Sequence, residues 1–208
     1  MMPDAAEGSA SALPPATPHA TLQAPRPTGA TALAAAAGVP TVVMGVAGCG
    51  KSSLAEALSR HFSWPMIEGD AFHSAESRAR MHAGTALTDD DRAAWLAALG
   101  QELAHHPEGA VLACSALKRS YRDILRGAAP GLRFVFLDIT RDDAQQRVTA
   151  RAGDHFFHPG LVHSQFEALE PPLGEPDVLR LDATRSLSVL CASAADWLTR
   201  DIPSQPAP

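Results

Sequence analysis

The chain has 208 residues, 46% hydrophobic and 19% charged, which is the balance of a globular protein and enough for one domain with a sizeable core. A net charge of −6 without any basic cluster argues against a nucleic-acid partner, and no stretch approaches the length of an apolar membrane span. The three cysteines, Cys49, Cys114 and Cys191, lack C-x-x-C spacing and indicate neither a disulfide framework nor a zinc site, so the expected ligand is a small molecule.

Residues 1–37 are rich in Ala, Pro, Thr and Ser with few large apolar groups, and they read as a disordered leader. Asp4 and Glu7 near the start and the prolines that follow do not fit a secretory signal, and one arginine, Arg26, is too few for a transit peptide. The expected location is the cytoplasm. A folded domain is expected over 38–201, with a loose tail at 202–208.

"PTVVMG" (40–45) suits a buried strand, and "GVAGCGKS" (45–52) fits G-x-x-x-x-G-K-[ST], the phosphate-binding P-loop, with a helix behind it. Glycines let successive N–H groups turn toward an anion, and the new helix adds the positive end of its dipole. Gly45, Val46, Ala47, Gly48, Cys49, Gly50, Lys51, Ser52 and Ser53 are therefore assigned to the phosphates of a nucleotide. Lys51 reaches the β- and γ-phosphates and the Ser52 hydroxyl serves Mg²⁺. Cys49, inside this loop, is the cysteine placed for oxidation, while Cys114 and Cys191 read as packed small hydrophobes.

A second strand (64–70) ends in Gly-Asp and leads to a helix from His73 to about Ala83. "TDDDRAAWLAALGQELAHH" (88–106) opens with Thr88 and Asp91 at capping-box spacing and is read as a helix. A third strand (109–117), a helix ended by Gly127, a fourth strand (132–139), a helix (141–153), a fifth strand (177–183) and a closing helix (186–200) follow. Residues 154–176 interrupt the alternation and read as a mobile cover over the phosphates. The fold class is α/β: a P-loop kinase-like three-layer α/β/α arrangement, with a parallel sheet of about five strands and a small lid insertion. Its ligand is expected at the carboxyl ends of the strands.

No Asn-Lys-x-Asp guanine-reading segment is present, and the folded length favours a compact enzyme over a motor or switch. Asp70, after the second strand, is the leading general base for an attacking hydroxyl; its plain alternative is a helix N-cap. Asp138 imitates a Mg²⁺-binding carboxylate in "FVFLD".

"GVAGCGKS", "EGDAFH", "MHAGTALTDDDRAAWL", "CSALKRSYRDILR" and "HFFHPGLVHSQFEALEPP" together resemble the bacterial-type gluconokinases, in order and rough spacing, over about residues 40–182. The resemblance implies ATP-dependent phosphorylation of D-gluconate with Mg²⁺, by a chain that acts alone or as a homodimer. It also implies an acceptor site of Asp70, His73, Arg92, Ser115 and Lys118, and no metal role for Asp138. Arg78, Arg80 and Arg122 are further cations near that site, and Asp89, Asp90 and Asp91 form a charged helix start. Arg147 and Arg151, four apart and so on one helix face, are expected to meet the β- and γ-phosphates, with His155 and Gln165 as weaker site members. The chain departs from the family at Ser74, Ser77, Arg80 and Ala94, where Pro, Asn, Lys and Pro are usual. A shikimate-type kinase and an ATP-binding regulatory module remain as alternatives.

Overall fold

The computed structural model describes residues 38–85, 87–150 and 161–200. Five strands, β1 (Thr41–Met44), β2 (Met66–Glu68), β3 (Val111–Ala113), β4 (Arg133–Asp138) and β5 (Val178–Asp182), form one sheet in the order β2-β3-β1-β4-β5. Every pairing is parallel, so all carboxyl ends lie along one edge. Central β1, flanked by β3 and β4, is where the chain changes direction across the sheet, and the crevice above such a point is where ligands bind in this architecture.

Among the described residues seven α-helices accompany the strands: α1 (Lys51–Phe62), α2 (Ala75–His82), α3 (Asp89–Ala104), α4 (Arg119–Ala128), α5 (Arg141–Ala150), α6 (Leu161–Ala168) and α7 (Leu187–Arg200). Alternation along the strands sends side chains to opposite faces. Val43, Val111, Val135 and Leu137 pack with Leu54 and Leu58 of α1 and with Leu190, Ala194 and Leu198 of α7. Val42, Met44, Leu112, Phe134 and Phe136 pack with Trp95, Leu96 and Leu99 of α3 and with Tyr121 and Leu125 of α4. Because β1 is covered on both faces, all four of its residues are buried and its sequence shows no period-2 signal.

Several boundaries differ from the sequence reading. β2 is shorter than the expected 64–70, spanning Met66–Glu68, because Gly69–Phe72 turns into a 3-10 helix. β3 stops at Ala113 and does not run to 117, because Ala116 takes a positive φ of 43° and the Ala116 and Leu117 carbonyls turn to Arg122. α2 starts after Ser74 and leaves His73 outside the helix, because the Ser74 hydroxyl accepts the Ser77 N–H at 3.0 Å and caps it. α4 runs through Gly127 to Ala128 and ends where Ala129 becomes extended. The insertion contains α6, whose Val162 is fully buried. The expectations for residues 1–37, 154–160 and 202–208 lie outside the described residues.

Candidate active site

The loop after β1 is built for an anion. Gly45, Gly48 and Gly50 all take positive φ, and at Gly48 a Cβ would stand 2.7 Å from the Ala144 carbonyl, so only glycine lets the loop pass beneath α5. α1 begins at Gly50 with no side-chain cap and no acidic residue in its first turn. The neighbouring helices differ: Ser74 caps α2, a Thr88–Asp91 capping box closes α3, and Glu170 Oε2 accepts the Arg119 N–H of α4 at 2.6 Å. The α1 N-terminus therefore keeps its donors for a bound anion.

Cys49 is only 1% exposed, and burial pushes its thiol up against the pull of Lys51. It is a packed group and not a reactive thiolate, contrary to the expectation that this cysteine is placed for oxidation. Burial likewise pushes Cys114 up to about 12.

Lys51 Nζ donates to the Val46 carbonyl at 3.1 Å, folding back over the loop. At the end of β2, Glu68 is half-buried, and burial pushes its carboxyl up. A hydrogen bond from Ser52 opposes that shift, the negative charge of Asp70 adds to it, and the charge of Lys51 and the Asp70 N–H pull back. Sequence reasoning missed Glu68, the last residue of β2, two positions before Asp70 in the 3-10 turn Gly69–Phe72.

Gly69 lets this turn close onto β3, since a Cβ there would lie 2.5 Å from the Ala113 carbonyl. Trp95 Nε1 donates to the Gly69 carbonyl at 2.7 Å and its ring stacks on His73, with centroids 4.3 Å apart. His73 is 6% exposed, its Nδ1 has no hydrogen-bond partner among the described residues, and its Nε2 lies 4.0 Å from Asp70 Oδ1. Burial pushes its imidazole pKa down, the charge of Asp70 opposes this, and Arg92 and Arg78 reinforce it, so His73 is neutral at pH 7. The Asp70 side chain is 52% exposed and caps no helix, because Ser74 takes that role for α2.

Asp89 is more than part of a charged helix start. It accepts Lys118 Nζ on both oxygens at 2.7 Å and the Tyr121 hydroxyl at 2.5 Å, with Arg92 Nη1 3.9 Å away. The Lys118 hydrogen bond and then that of Tyr121 hold its carboxyl below the usual range. Lys118 and Arg92 therefore converge on one carboxylate, where sequence reasoning had them as separate cations.

A family model described as an AAA domain matches residues 41–172. The chain is 40% identical over 152 residues to the gluconokinase of Gluconobacter oxydans, covering 72% of this chain and 85% of the relative. It is 37% identical over 163 residues to the thermoresistant gluconokinase of Escherichia coli, covering 76% and 93%. The chain belongs to the gluconokinase family. A crystal structure of a gluconokinase from Sinorhizobium meliloti 1021 superposes with a TM-score of 0.72 at 45% identity, covering 79% of this chain and 93% of that one.

Several departures from the gluconokinase pattern have local explanations. Ser74 supplies the α2 cap, Ser77 Oγ accepts from Ser74 Oγ at 3.0 Å, and Arg80 Nη1 bridges both Asp91 oxygens at 2.9 Å. Nothing in the structure explains Ala94. Ser115 lies beside the P-loop, its carbonyl accepting the Gly45 N–H at 3.3 Å. Arg147 also lies against this loop, donating to the Gly48 carbonyl at 3.5 Å and to Ala183 at 3.0 Å. Gln165 reaches the same loop from α6, accepting the Ala47 N–H at 2.6 Å. Arg151 and His155 lie outside the described residues.

Two sequence suggestions point elsewhere in the fold. Arg122 is 0% exposed and pairs with Glu175 inside the domain, so it serves architecture and not acceptor binding. Arg78 spends its guanidinium on the Ala71 and His73 carbonyls. Asp138 pairs with Arg180 at 2.9 Å across β4 and β5.

Proposed function

We propose that this chain transfers the γ-phosphoryl group of ATP to D-gluconate, giving 6-phosphogluconate and ADP, with Mg²⁺ and in the cytoplasm. One observation supports the reading: the glycine loop after β1, with Lys51 Nζ folded over it at 3.1 Å from the Val46 carbonyl, and Asp70, just after β2, both follow the carboxyl ends of strands of one parallel sheet. The family's named gluconokinases supply the acceptor.

The donors present fit the groups they would hold. The uncapped α1 N-terminus and glycine loop suit a polyphosphate. Ser52 and Glu68 are oxygen ligands of the kind a hard cation takes. Among the described residues no group of three or more His, Cys, Asp and Glu side chains could hold a metal, so Mg²⁺ would share its oxygens with phosphate. When bound, it neutralises charge on the phosphates.

In this reading Asp70 accepts the proton of the attacking hydroxyl while the oxygen–phosphorus bond forms and the bond from the γ-phosphorus to the ADP oxygen breaks. Neutral His73 hydrogen-bonds the acceptor's hydroxyls, and Arg92, Lys118 and Ser115 recognise the remainder of the sugar acid, its carboxylate included. Lys51, Arg147 and Arg151 stabilise charge on the phosphoryl oxygens.

A coupled ADP-release assay with Mg²⁺, run over D-gluconate, other sugar acids and shikimate, tests this. Gluconate-dependent release at about 1–100 s⁻¹ is expected. Release with shikimate and none with gluconate would refute the acceptor, and ATP binding without acceptor-dependent release would make the chain a regulatory module.

A further inference from the structure

The Ala47 N–H belongs to the phosphate loop, yet it donates to Gln165 Oε1 at 2.6 Å, across 118 residues of sequence. The carbonyl of the same peptide unit, that of Val46, accepts Lys51 Nζ at 3.1 Å. One peptide is thus held at its oxygen by the cation that reaches the β- and γ-phosphates of a P-loop, and at its N–H by a carboxamide. This puts Gln165 at the phosphoryl-transferring end of the loop.

Because the donor is a backbone N–H, the accepting atom is the carboxamide oxygen, which orients the whole group. The Nε2 of Gln165 then offers two N–H donors, and it has no hydrogen-bond partner among the described residues. The segment carrying Gln165 is braced. Val162 is fully buried, the Glu170 N–H donates to the Leu117 carbonyl at 2.9 Å, and Glu170 Oε2 takes the Arg119 N–H. A group on such a base has a defined reach.

We propose that Gln165 is a γ-phosphoryl-recognising residue: its oxygen fixes the Val46–Ala47 peptide and its Nε2 donates to a γ-phosphoryl oxygen, so that the site favours a nucleoside triphosphate over a diphosphate. This rests on the ATP reading given above. Neutral donors suit that end of the site, where Lys51 and Arg147 already supply charge and orientation is what remains to be set.

Two substitutions in the full chain separate recognition from propping. Gln165→Glu keeps an acceptor for the Ala47 N–H but loses both donors and adds a negative charge. Gln165→Met loses acceptor and donors without adding charge. Affinities for a non-hydrolysable ATP analogue and for ADP, each with Mg²⁺, are measured by calorimetry beside a thermal melt. Gln165→Glu is expected to weaken the ATP analogue about tenfold or more, the scale of a lost hydrogen bond to a charged group, with ADP changed by less than about threefold. Gln165→Met is expected to weaken the analogue by about three- to tenfold and to leave ADP alone. If Gln165→Glu does not fold, Gln165→Met carries the test. An equal loss for both nucleotides, or no loss for either, overturns the proposal. Failure of the unaltered protein to bind either nucleotide overturns the ATP reading, and this proposal with it.

Discussion

Glu175→Gln tests the buried pair on which the segment after α6 rests. Glu175, with a side chain 7% exposed, accepts Arg122 Nε at 3.0 Å and Arg126 Nη2 at 2.8 Å, while Arg122 is 0% exposed. The Arg122 hydrogen bond, opposed by burial and helped by Arg126, holds the carboxyl down from 4.5 to about 2. That shift corresponds to about 3 kcal/mol, and stranding a buried partner costs about 3–5 kcal/mol. The two routes agree. A carboxyl depressed in the folded state contributes stability that is fully present above its unfolded value of about 4.5 and is lost as pH falls toward about 2. At pH 7 the variant should melt about 6–20 °C below the unaltered chain. Circular-dichroism melts and urea titrations from pH 7.5 downward should show a constant gap above about pH 5, closing below about pH 4.5. The double change Arg122→Met with Glu175→Gln should recover part of the loss, because it removes the stranded charge. A melting point within about 2 °C at pH 7, set against the expected cost, or a gap that persists at low pH, would refute the reasoning.

Lys51→Ala should lower turnover by about 10²–10³-fold with an unchanged circular-dichroism spectrum, and normal turnover would sink the P-loop assignment. Asp70→Asn should lower gluconate-dependent ADP release by about 10²–10⁴-fold with ATP affinity little altered. Because Asp70 caps no helix, full activity in that variant would count directly against its role as base. Ser74→Ala should cost about 1 kcal/mol in urea titrations by removing the α2 cap, with no change in KM for gluconate. A change in that KM alone would place Ser74 at the acceptor.

Much of the site's phosphate half was legible because it is local. Gly45, Gly48, Gly50, Lys51 and Ser52 sit within one turn and its helix, so spacing alone carries their geometry. The Thr88–Asp91 box is legible for the same reason, since both hydrogen bonds span three residues. The acceptor half was read less well. His73 looked like a residue of a surface helix, but Trp95, 26 residues from the Gly69 carbonyl it bonds, buries its ring and keeps it neutral.

By itself the sequence determined the alternation of strand and helix, the phosphate loop, the family, and which residue types stand ready for phosphate and acceptor. Each of these depends on side chains a few positions apart, or on motifs that keep their order along the chain. The tertiary structure alone decided what those side chains do. Arg122 and Lys118 are both cations near the end of β3. Yet Glu175, 53 residues away, takes the first into the interior, while Asp89, 29 residues away, leaves the second in the partly exposed cluster with Arg92. Gln165 reaches Ala47 across 118 residues because β4, α5 and α6 return the chain to the carboxyl edge of the sheet. A contact of that kind leaves no period or spacing to read, because its two halves share only the folded space between them.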